Sequence, residues 1–261
     1  MASVLGVALP EGIEWGVCVR DAATGDVLAA ADPDRVLPAA SIGKVLLLIE
    51  VARSLDLAEL LTRTAYDAVA DSGLWQHLAV DTLPAGDLAA LVGAVSDNLA
   101  TNVLLRRVGL EAVRHTAREL GLEHTALHDR VRDARTAEHP PALSTATASE
   151  LSLLFTRLDE RVLGWLALGA DLSMVAGGLG LDPLAHVEPD RGLRMRHKTG
   201  ADHGVRADAG LIGGVAYAVL ARFDDARRDE VLGVMRAIGA ALRQSGEAMQ
   251  AVPTRSKPSR P

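Results

Sequence analysis

The sequence predicts an α+β fold: one antiparallel sheet, built from both ends of the chain and flanked by helices, with an all-helical lobe inserted between its halves. Strand-like segments rich in β-forming residues occur only near the two ends. They cover residues 14–21, 27–31, 193–198, 207–212 and 215–223. Periodic segments between about residues 56 and 180 all have helical spacing. Because end strands need partners to bury their apolar faces, a shared sheet with an inserted lobe follows.

Helices are predicted both inside and outside this lobe. A strongly apolar segment begins near Ser41 and runs to residue 55, and an amphipathic helix covers 229–242. Thr147 and Glu150, three residues apart, have the spacing of a capping box, which marks a helix start. The segments inside the lobe are 57–62, 72–79, 86–95, 99–107, 110–120, 147–158 and 160–168.

The 261 residues are enough for one catalytic domain with a substantial core, which we expect to span residues 1–249. Its α/β lobe takes about 1–55 and 185–249, and its helical lobe about 56–184. The Pro/Arg/Ser-rich residues 250–261 are predicted to form a disordered tail.

Composition excludes several partners and cofactors. A net charge of −7 and an aromatic content of 3% argue against nucleic-acid binding. No segment reaches the roughly 18 apolar residues of a membrane span, and the amino terminus lacks the pattern of a secretory signal. Cys18 is the only cysteine, which excludes an internal disulfide and argues against zinc. We therefore expect a cytoplasmic monomer, as the chain is given, that acts on a small-molecule substrate without metal or cofactor.

The first chemical motif is Ser41-Ile42-Gly43-Lys44, at a predicted helix start. Residues three apart share a helix face, so the Lys44 amine can lie beside the Ser41 hydroxyl. A serine hydroxyl is a weak nucleophile until a base takes its proton, and a lysine can do so when burial or a nearby cation lowers its pKa.

Two further motifs carry complementary groups. Ser96-Asp97-Asn98 lies at a helix start and offers a hydroxyl for proton transfer and an amide for a substrate carbonyl. Lys198-Thr199-Gly200 ends a predicted strand and offers a positive charge, a hydroxyl and a glycine that allows close approach to the backbone. Each motif alone is more often a helix cap, a strand end or a solvated helix face.

Residue usage supports lysine chemistry at two of these motifs. Only three of the 27 basic residues are lysines: Lys44, Lys198 and Lys257. Two of the three lie in the candidate motifs, although this chain otherwise prefers arginine. Arginine does not lose its proton in a protein and so cannot act as a base.

In this order and spacing the three motifs resemble those of class A β-lactamases, which are penicillin-recognising serine enzymes. The likeness covers nearly the whole chain and includes residues 36–45, 96–102 and 198–201, followed by Gly204 and Asp208. It implies a β-lactamase/DD-peptidase-like fold, and related enzymes are usually exported.

The resemblance also implies residue roles. Ser41 would be the acylated nucleophile, Lys44 its base partner and Ser96 a proton donor. Asn98 would bind the substrate amide, Lys198 with Thr199 the substrate carboxylate, and the backbone N–H groups of Ser41 and Ala201 would form the oxyanion hole. Arg206 adds charge near the carboxylate or is a solvated surface arginine.

One feature of the family is missing. Class A β-lactamases have a Glu-x-x-Leu-Asn loop whose glutamate activates the deacylating water, and residues 127–138 contain no such motif. The glutamate's place falls on Arg132. Asp133 or Glu138 is a candidate substitute, with a solvated loop as the default interpretation. His197, beside Lys198, is a second candidate in the cleft or a packed strand-end histidine.

These observations predict a serine hydrolase that opens β-lactam amides through an acyl-enzyme on Ser41. Two alternatives stay open: a D-alanyl-D-alanine peptidase or small-ester hydrolase on the same scaffold, and a non-turnover β-lactam-binding module. The missing glutamate favours the binding module, whereas the absence of an attached sensor domain or membrane segment in the sequence speaks against it.

Overall fold

The computed structural model describes residues 2–182 and 195–250, with side chains described to residue 243. Its strands are β1 (Ser3–Val4), β2 (Val7–Ala8), β3 (Glu14–Asp21), β4 (Val27–Ala31), β5 (Leu37–Pro38), β6 (Leu60–Thr62), β7 (Thr82–Pro84), β8 (Ala126–Leu127), β9 (Ser144–Ala146), β10 (Met195–Asp202), β11 (Val205–Ile212) and β12 (Val215–Arg222). Its helices are α1 (Lys44–Ser54), α2 (Ala85–Val95), α3 (Asn98–Val108), α4 (Leu110–Glu119), α5 (Ala148–Phe155), α6 (Glu160–Leu166) and α7 (Arg228–Gln250).

The main sheet joins the two ends of the chain. Its five strands lie in the order β10-β11-β12-β3-β4, and every neighbouring pair is antiparallel. Both predicted hairpins are present, one from β3 and β4 and the other from β11 and β12. The α+β class is confirmed, and β10 is left as an edge strand of this sheet.

Apolar packing covers both faces of the sheet. On one face Val17, Val19 and Tyr217 pack with Val231 and Met235 of α7. On the other face the sheet presents small side chains, among them Ala207, Ala209, Ala216 and Ala218, to the larger core of α1 to α6. Small residues allow the helices to approach the sheet closely, which brings the start of α1 next to β10.

Two predicted helices inside the lobe are wrong. Within residues 57–62 the chain forms β6, which pairs with β7, and within 72–79 only the single turn Trp75–His77 is helical. Trp75 is fully buried and its indole N–H donates to the Val80 carbonyl, 2.9 Å away, which holds this segment as a compact loop. A second small sheet has the strand order β5-β9-β8, so the lobe is not entirely helical.

The remaining helix predictions hold within a few residues. Thr147 is the N-cap of α5, and its side chain accepts from the Glu150 N–H as the capping box predicts. The terminal helix α7 runs for 23 residues, longer than predicted, and Gln250, assigned to the tail, is its last residue. Residues 193–194 and 251–261 lie outside the described part of the chain. None of the described helices combines the length and apolarity needed to cross a membrane.

Candidate active site

A cavity of about 450 Å³ lies where the start of α1, the loop between α2 and α3, the loop after α6 and the edge strand β10 meet. Its described lining consists of Ser41, Asp71, Ser72, residues 93–96, Asn98, residues 169–171, His197, Lys198, Thr199 and Ala201. Six of the eight residues predicted for the site are in this lining. The other two, Lys44 and Gly200, lie directly behind it.

The turn that presents Ser41 has an unusual backbone. Ala40 has φ +46°, a left-handed conformation that alanine rarely adopts, and the 3-10 turn Ala40–Gly43 leads straight into α1. Ser144 of β9 fixes this turn, because its hydroxyl donates to the Ala40 carbonyl at 2.6 Å. Residues held in sparsely populated conformations by their surroundings are typical of functional sites. Ser144 was not singled out from the sequence.

Gly200 has a structural purpose that differs from the predicted one. It does not line the cavity; instead, a Cβ added to it would lie 2.3 Å from the Ala39 carbonyl oxygen and 3.1 Å from the Ser41 nitrogen. The glycine therefore lets β10 pack against the backbone of the nucleophile turn.

We expect Gly200→Ala to lower the acylation rate by ~10²-fold, because the added Cβ must displace the Ser41 backbone and a shift of about 1 Å has this effect on a reacting group. Gly214→Ala is the matched control, since a Cβ at that turn has open space. Acylation rates from stopped-flow measurement and melting temperatures check this. Equal rates in the two variants would contradict the close packing.

Lys44 is completely buried and donates three hydrogen bonds. Its Nζ lies 2.7 Å from the Ser96 carbonyl oxygen, 3.2 Å from Ser96 Oγ and 2.7 Å from Asn98 Oδ1. These three acceptors match the three protons of an ammonium group. The described hydrogen bonds of Lys44 thus link it to the loop between α2 and α3, and none of them goes to Ser41.

Ser96 lies between the two lysines. Its Oγ accepts from Lys44 Nζ and, at 3.0 Å, from Lys198 Nζ. Ser96 ends α2 with φ +55°, a left-handed conformation that turns its hydroxyl toward both amines. Because two donors occupy its oxygen, the hydroxyl proton remains available to a third group in the cavity.

Burial shifts the pKa of both lysines. Burial, followed by the charge of Lys198, lowers the pKa of Lys44 well below its usual 10.5, while Asp97 and Asp71 oppose the shift. Burial also lowers the pKa of Lys198 to about 8, against the opposing charges of Asp171 and Asp208. At neutral pH Lys198 is therefore mostly charged, and Lys44 is the stronger candidate for a neutral amine.

Asp97 organises the loop that carries Ser96 and Asn98. It is fully buried and caps α3 by accepting from the Ala100 N–H at 2.8 Å, and its other oxygen accepts from the N–H groups of Leu74 and Trp75. Gly73 passes so close that a Cβ there would lie 2.5 Å from Asp97 Cγ. The carboxylate therefore holds two loops together at one wall of the cavity.

Asn98 connects Lys44 to the cavity. Its Oδ1 accepts from Lys44 Nζ, and its Nδ2 donates to the Ala70 carbonyl at 3.1 Å. An amide nitrogen has two protons, so one remains for a substrate carbonyl. Thr199 and Ala201 line the same cavity from β10, whose outer edge has backbone groups that no strand of the described sheet pairs. Arg206 is outside the lining, and its guanidinium donates to the Asp202 and Val205 carbonyls.

His197 belongs to a buried network that connects the sheet to the cavity. Its Nδ1 lies 2.9 Å from Asp208 Oδ1, and Asp208 also accepts from the Tyr217 hydroxyl at 2.8 Å and the Val175 N–H at 3.0 Å. His197 is 3% exposed, so it is packed as predicted, but it lies within β10 rather than at a strand end, and it also lines the cavity. In the sequence, Asp208 and His197 were considered separately. The pairing of β10 with β11 brings them together.

Comparison with known proteins identifies the family. A model described as the Beta-lactamase enzyme family matches residues 4–245. The chain belongs to this family. Among solved structures it is similar to PBP-A at 22% identity, with a TM-score of 0.75 and 93% of each chain covered. It is also similar to a β-lactamase from Sphaerobacter thermophilus at 26% identity, with a TM-score of 0.74 over 90% of this chain and 92% of that one.

A third similar structure is an ancestral class A β-lactamase at 24% identity, with a TM-score of 0.74 over 90% of this chain and 95% of that one. These matches confirm the β-lactamase/DD-peptidase-like fold and the resemblance drawn from the three motifs. By family and by fold, this chain is therefore a serine β-lactamase-like hydrolase.

The loop expected to hold a deacylating glutamate is tied together by arginines in this family member. Arg132 and Arg135 both bind the carboxylate of Asp129, with N–O distances of 2.7 and 2.9 Å. A second cavity of about 220 Å³ beside Ser41 is lined by Val131, Arg132, Asp133 and Arg135 from this loop. The charged side chains in the described lining of this cavity are the two arginines, both paired with Asp129, and the carboxylates of Asp71, Asp133 and Asp202.

The two candidate carboxylates of this loop differ in position. Asp133 lines the second cavity with Ser41, and its Oδ1 accepts from the Ala70 N–H at 2.7 Å. Glu138 is exposed and lies outside the described lining of that cavity. Asp133 is thus the one of the two that is near the nucleophile.

Proposed function

We propose that this protein is an active-site serine hydrolase that opens β-lactam amides through an acyl-enzyme on Ser41. The observation that carries the proposal is the buried Lys44 with a lowered pKa, joined through Ser96 to Lys198 beside the same cavity. A buried lysine that loses its proton readily is the base that an S-x-x-K serine needs.

The proposed acylation step uses four side chains. Neutral Lys44 has two protons and a lone pair, so it keeps two of its hydrogen bonds and accepts the Ser41 proton. Ser41 Oγ forms a bond to the lactam carbonyl carbon, and the Ser41 and Ala201 N–H groups receive the oxyanion. The carbon–nitrogen bond then breaks, Ser96 gives its proton to the leaving nitrogen, and Lys44 returns a proton to Ser96.

Substrate binding is assigned to the remaining residues. The free Nδ2 proton of Asn98 suits a side-chain amide carbonyl of the substrate. Lys198 and Thr199 face the group attached to the leaving nitrogen. These roles are proposals based on the cavity lining and on the family to which the chain belongs.

A second candidate is a protein that β-lactams acylate quickly and that deacylates slowly. A D-alanyl-D-alanine peptidase and a β-lactam-binding module are examples. Its support is the loop at the second cavity, where Arg132 and Arg135 pair with Asp129 and Asp133 is bound to Ala70. PBP-A, one of the similar structures, has a variant whose structure is an acyl-enzyme complex with penicillin G.

Pre-steady-state kinetics with a chromogenic cephalosporin test the proposal and separate these candidates. We expect a burst close to one equivalent per enzyme followed by a slow linear phase, because a missing general base costs deacylation ~10²–10⁴-fold. Asp133→Asn keeps an oxygen for the Ala70 N–H but removes a basic carboxylate, and we expect it to change the slow phase by less than about threefold.

Glu138→Gln is the matched control for that variant, since it makes the same chemical change on a carboxylate of the same loop that lies outside the described lining of the second cavity. A linear phase slowed tenfold or more in Asp133→Asn alone would make Asp133 the deacylating base and the protein a full turnover β-lactamase. Absence of any burst or hydrolysis would contradict the proposed acylation.

The acylation rate should have a bell-shaped pH dependence. Neutral Lys44 becomes more abundant as the pH rises through its lowered pKa, which gives the acid limb. The charge of Lys198 is lost as the pH rises through its pKa of about 8, which gives the basic limb. Lys198→Arg keeps its charge, so its basic limb should move to higher pH. A basic limb unchanged in that variant would contradict the role of Lys198.

A further inference from the structure

The end of the cavity next to Thr199 contains a carboxylate that the proposed chemistry does not use. Asp171, in the loop after α6, lines the cavity together with Lys198 and Thr199. Lys198 is the only cation of this end that the described lining includes, since Arg206 is bound to its own hairpin. A substrate group that reaches Thr199 therefore meets one positive and one negative side chain.

Backbone contacts fix the position of Asp171. The neighbouring Ala170 N–H donates to the Ala94 carbonyl at 2.9 Å, which ties the loop to the end of α2. The Asp171 Oδ1 accepts from the Ser173 N–H at 3.0 Å and from the Ser173 hydroxyl at 2.6 Å. Gly169 passes so close to His197 that a Cβ would lie 3.3 Å from its Nε2. The carboxylate is thus held in place beside the strand, and its side chain remains exposed to solvent.

Asp171 is ionised in this position. Burial acts to raise its pKa, but the hydrogen bonds from Ser173 and Thr199 and the nearby His197 outweigh it, so the pKa lies below its usual value. Among charged groups, Asp171 also has the largest raising effect on the pKa of Lys198. Both side chains line the same end of the cavity, so their charges partly offset each other for a substrate bound there.

From this arrangement we infer that Asp171 is a specificity-determining residue, which selects acyl substrates whose group next to Thr199 is uncharged or cationic and disfavours a carboxylate there. This inference rests on the proposed acylation of Ser41 and names its substrate class. With Lys44 neutral, the described lining contains the carboxylates of Asp71 and Asp171 against the single charge of Lys198. An anionic substrate then meets a net negative cavity.

The test compares two probes that differ only at this group: benzylpenicillin and its carboxamide. Second-order rate constants for acylation are measured by intact-mass spectrometry in wild-type protein and in Asp171→Asn, which keeps an oxygen acceptor for Ser173. We expect Asp171→Asn to acylate with benzylpenicillin about tenfold faster, because it removes a negative charge from the lining of the same cavity, and with the carboxamide at an unchanged rate. In 1 M salt the wild-type discrimination should shrink because the charges are screened.

Asp202→Asn is the matched control, because this exposed carboxylate lines the second cavity beside Ser41 but lies outside the described lining of the cavity that holds Lys198 and Thr199. An Asp171→Asn variant with an unchanged ratio of the two rate constants would overturn the inference, as would the same change of ratio in Asp202→Asn. The carboxamide adduct keeps the two proposals separate. If wild-type protein forms this adduct on Ser41, acylation stands whatever the ratio is; if neither probe modifies Ser41, both proposals fail.

Discussion

Ser41→Ala is expected to abolish covalent labelling of the protein by a fluorescent penicillin. Ser41 is the serine of the S-x-x-K motif, and among the serines that the structure describes it is the one that lines both cavities. Its hydroxyl is the proposed site of the acyl bond, and alanine offers no nucleophile in its place. The loss should therefore be complete at any probe concentration, as read from in-gel fluorescence after denaturation.

The matched control is Ser72→Ala. Ser72 also lines the main cavity, but its hydroxyl donates to the Val95 carbonyl at 2.8 Å. We expect labelling at a rate within a few-fold of wild type in this variant. Residual labelling in Ser41→Ala at the wild-type rate would show that another residue is acylated.

Lys44→Arg is expected to lower the acylation rate by ~10²–10⁴-fold, the typical contribution of a general base. Arginine keeps the positive charge but does not give up its proton in a protein, so it leaves the Ser41 hydroxyl without an acceptor. Lys44→Ala removes the charge as well, and we expect its rate to be within about tenfold of Lys44→Arg. Stopped-flow acylation with a chromogenic cephalosporin measures all three proteins.

Lys198→Arg is the matched control for Lys44→Arg, because it shows what the replacement of a lysine by arginine does where no base is needed. It makes the same substitution at the second amine bound to Ser96, where a positive charge is enough for the proposed role. We expect it to retain most of the acylation rate at pH 7. Melting temperatures identify any variant that fails to fold. Near wild-type acylation in folded Lys44→Arg would mean that charge at this position suffices and that another group takes the proton.

Local patterns predicted most of the fold. Alternation and turns predicted the β3–β4 and β11–β12 hairpins, and 3.6-residue periodicity predicted five of the seven segments assigned to the lobe. The segments 57–62 and 72–79 were wrong because distant contacts decide them. Leu60–Thr62 pairs with Thr82–Pro84, with partners 20 to 24 residues apart, and the Trp75 N–H donates to the Asp97 carboxylate. Periodicity within a short window does not include such contacts.

The residues of the candidate site also fall into two groups: those that sequence motifs predicted and those that they did not. Motifs with short spacing gave Ser41, Lys44, Ser96, Asn98 and Lys198. The structure brings four of them to one cavity and places Lys44 directly behind it, although their catalytic roles stay predictions. Groups that come from single positions were missed. Ser144 and Asp171 each reach the site from a loop or strand far away in sequence, and neither forms a motif with its neighbours. Only the packing of the chain shows what they contact.

Peptide mapping of the acyl-enzyme is the most direct test of the central claim. Wild-type protein is mixed with a chromogenic cephalosporin, quenched during the burst and digested, and the peptides are sequenced by mass spectrometry. The proposed mechanism predicts an adduct on the peptide containing Ser41, at close to one equivalent, that appears as fast as the chromophore is released. An adduct on a different residue, or ring opening without any adduct at Ser41, would contradict it.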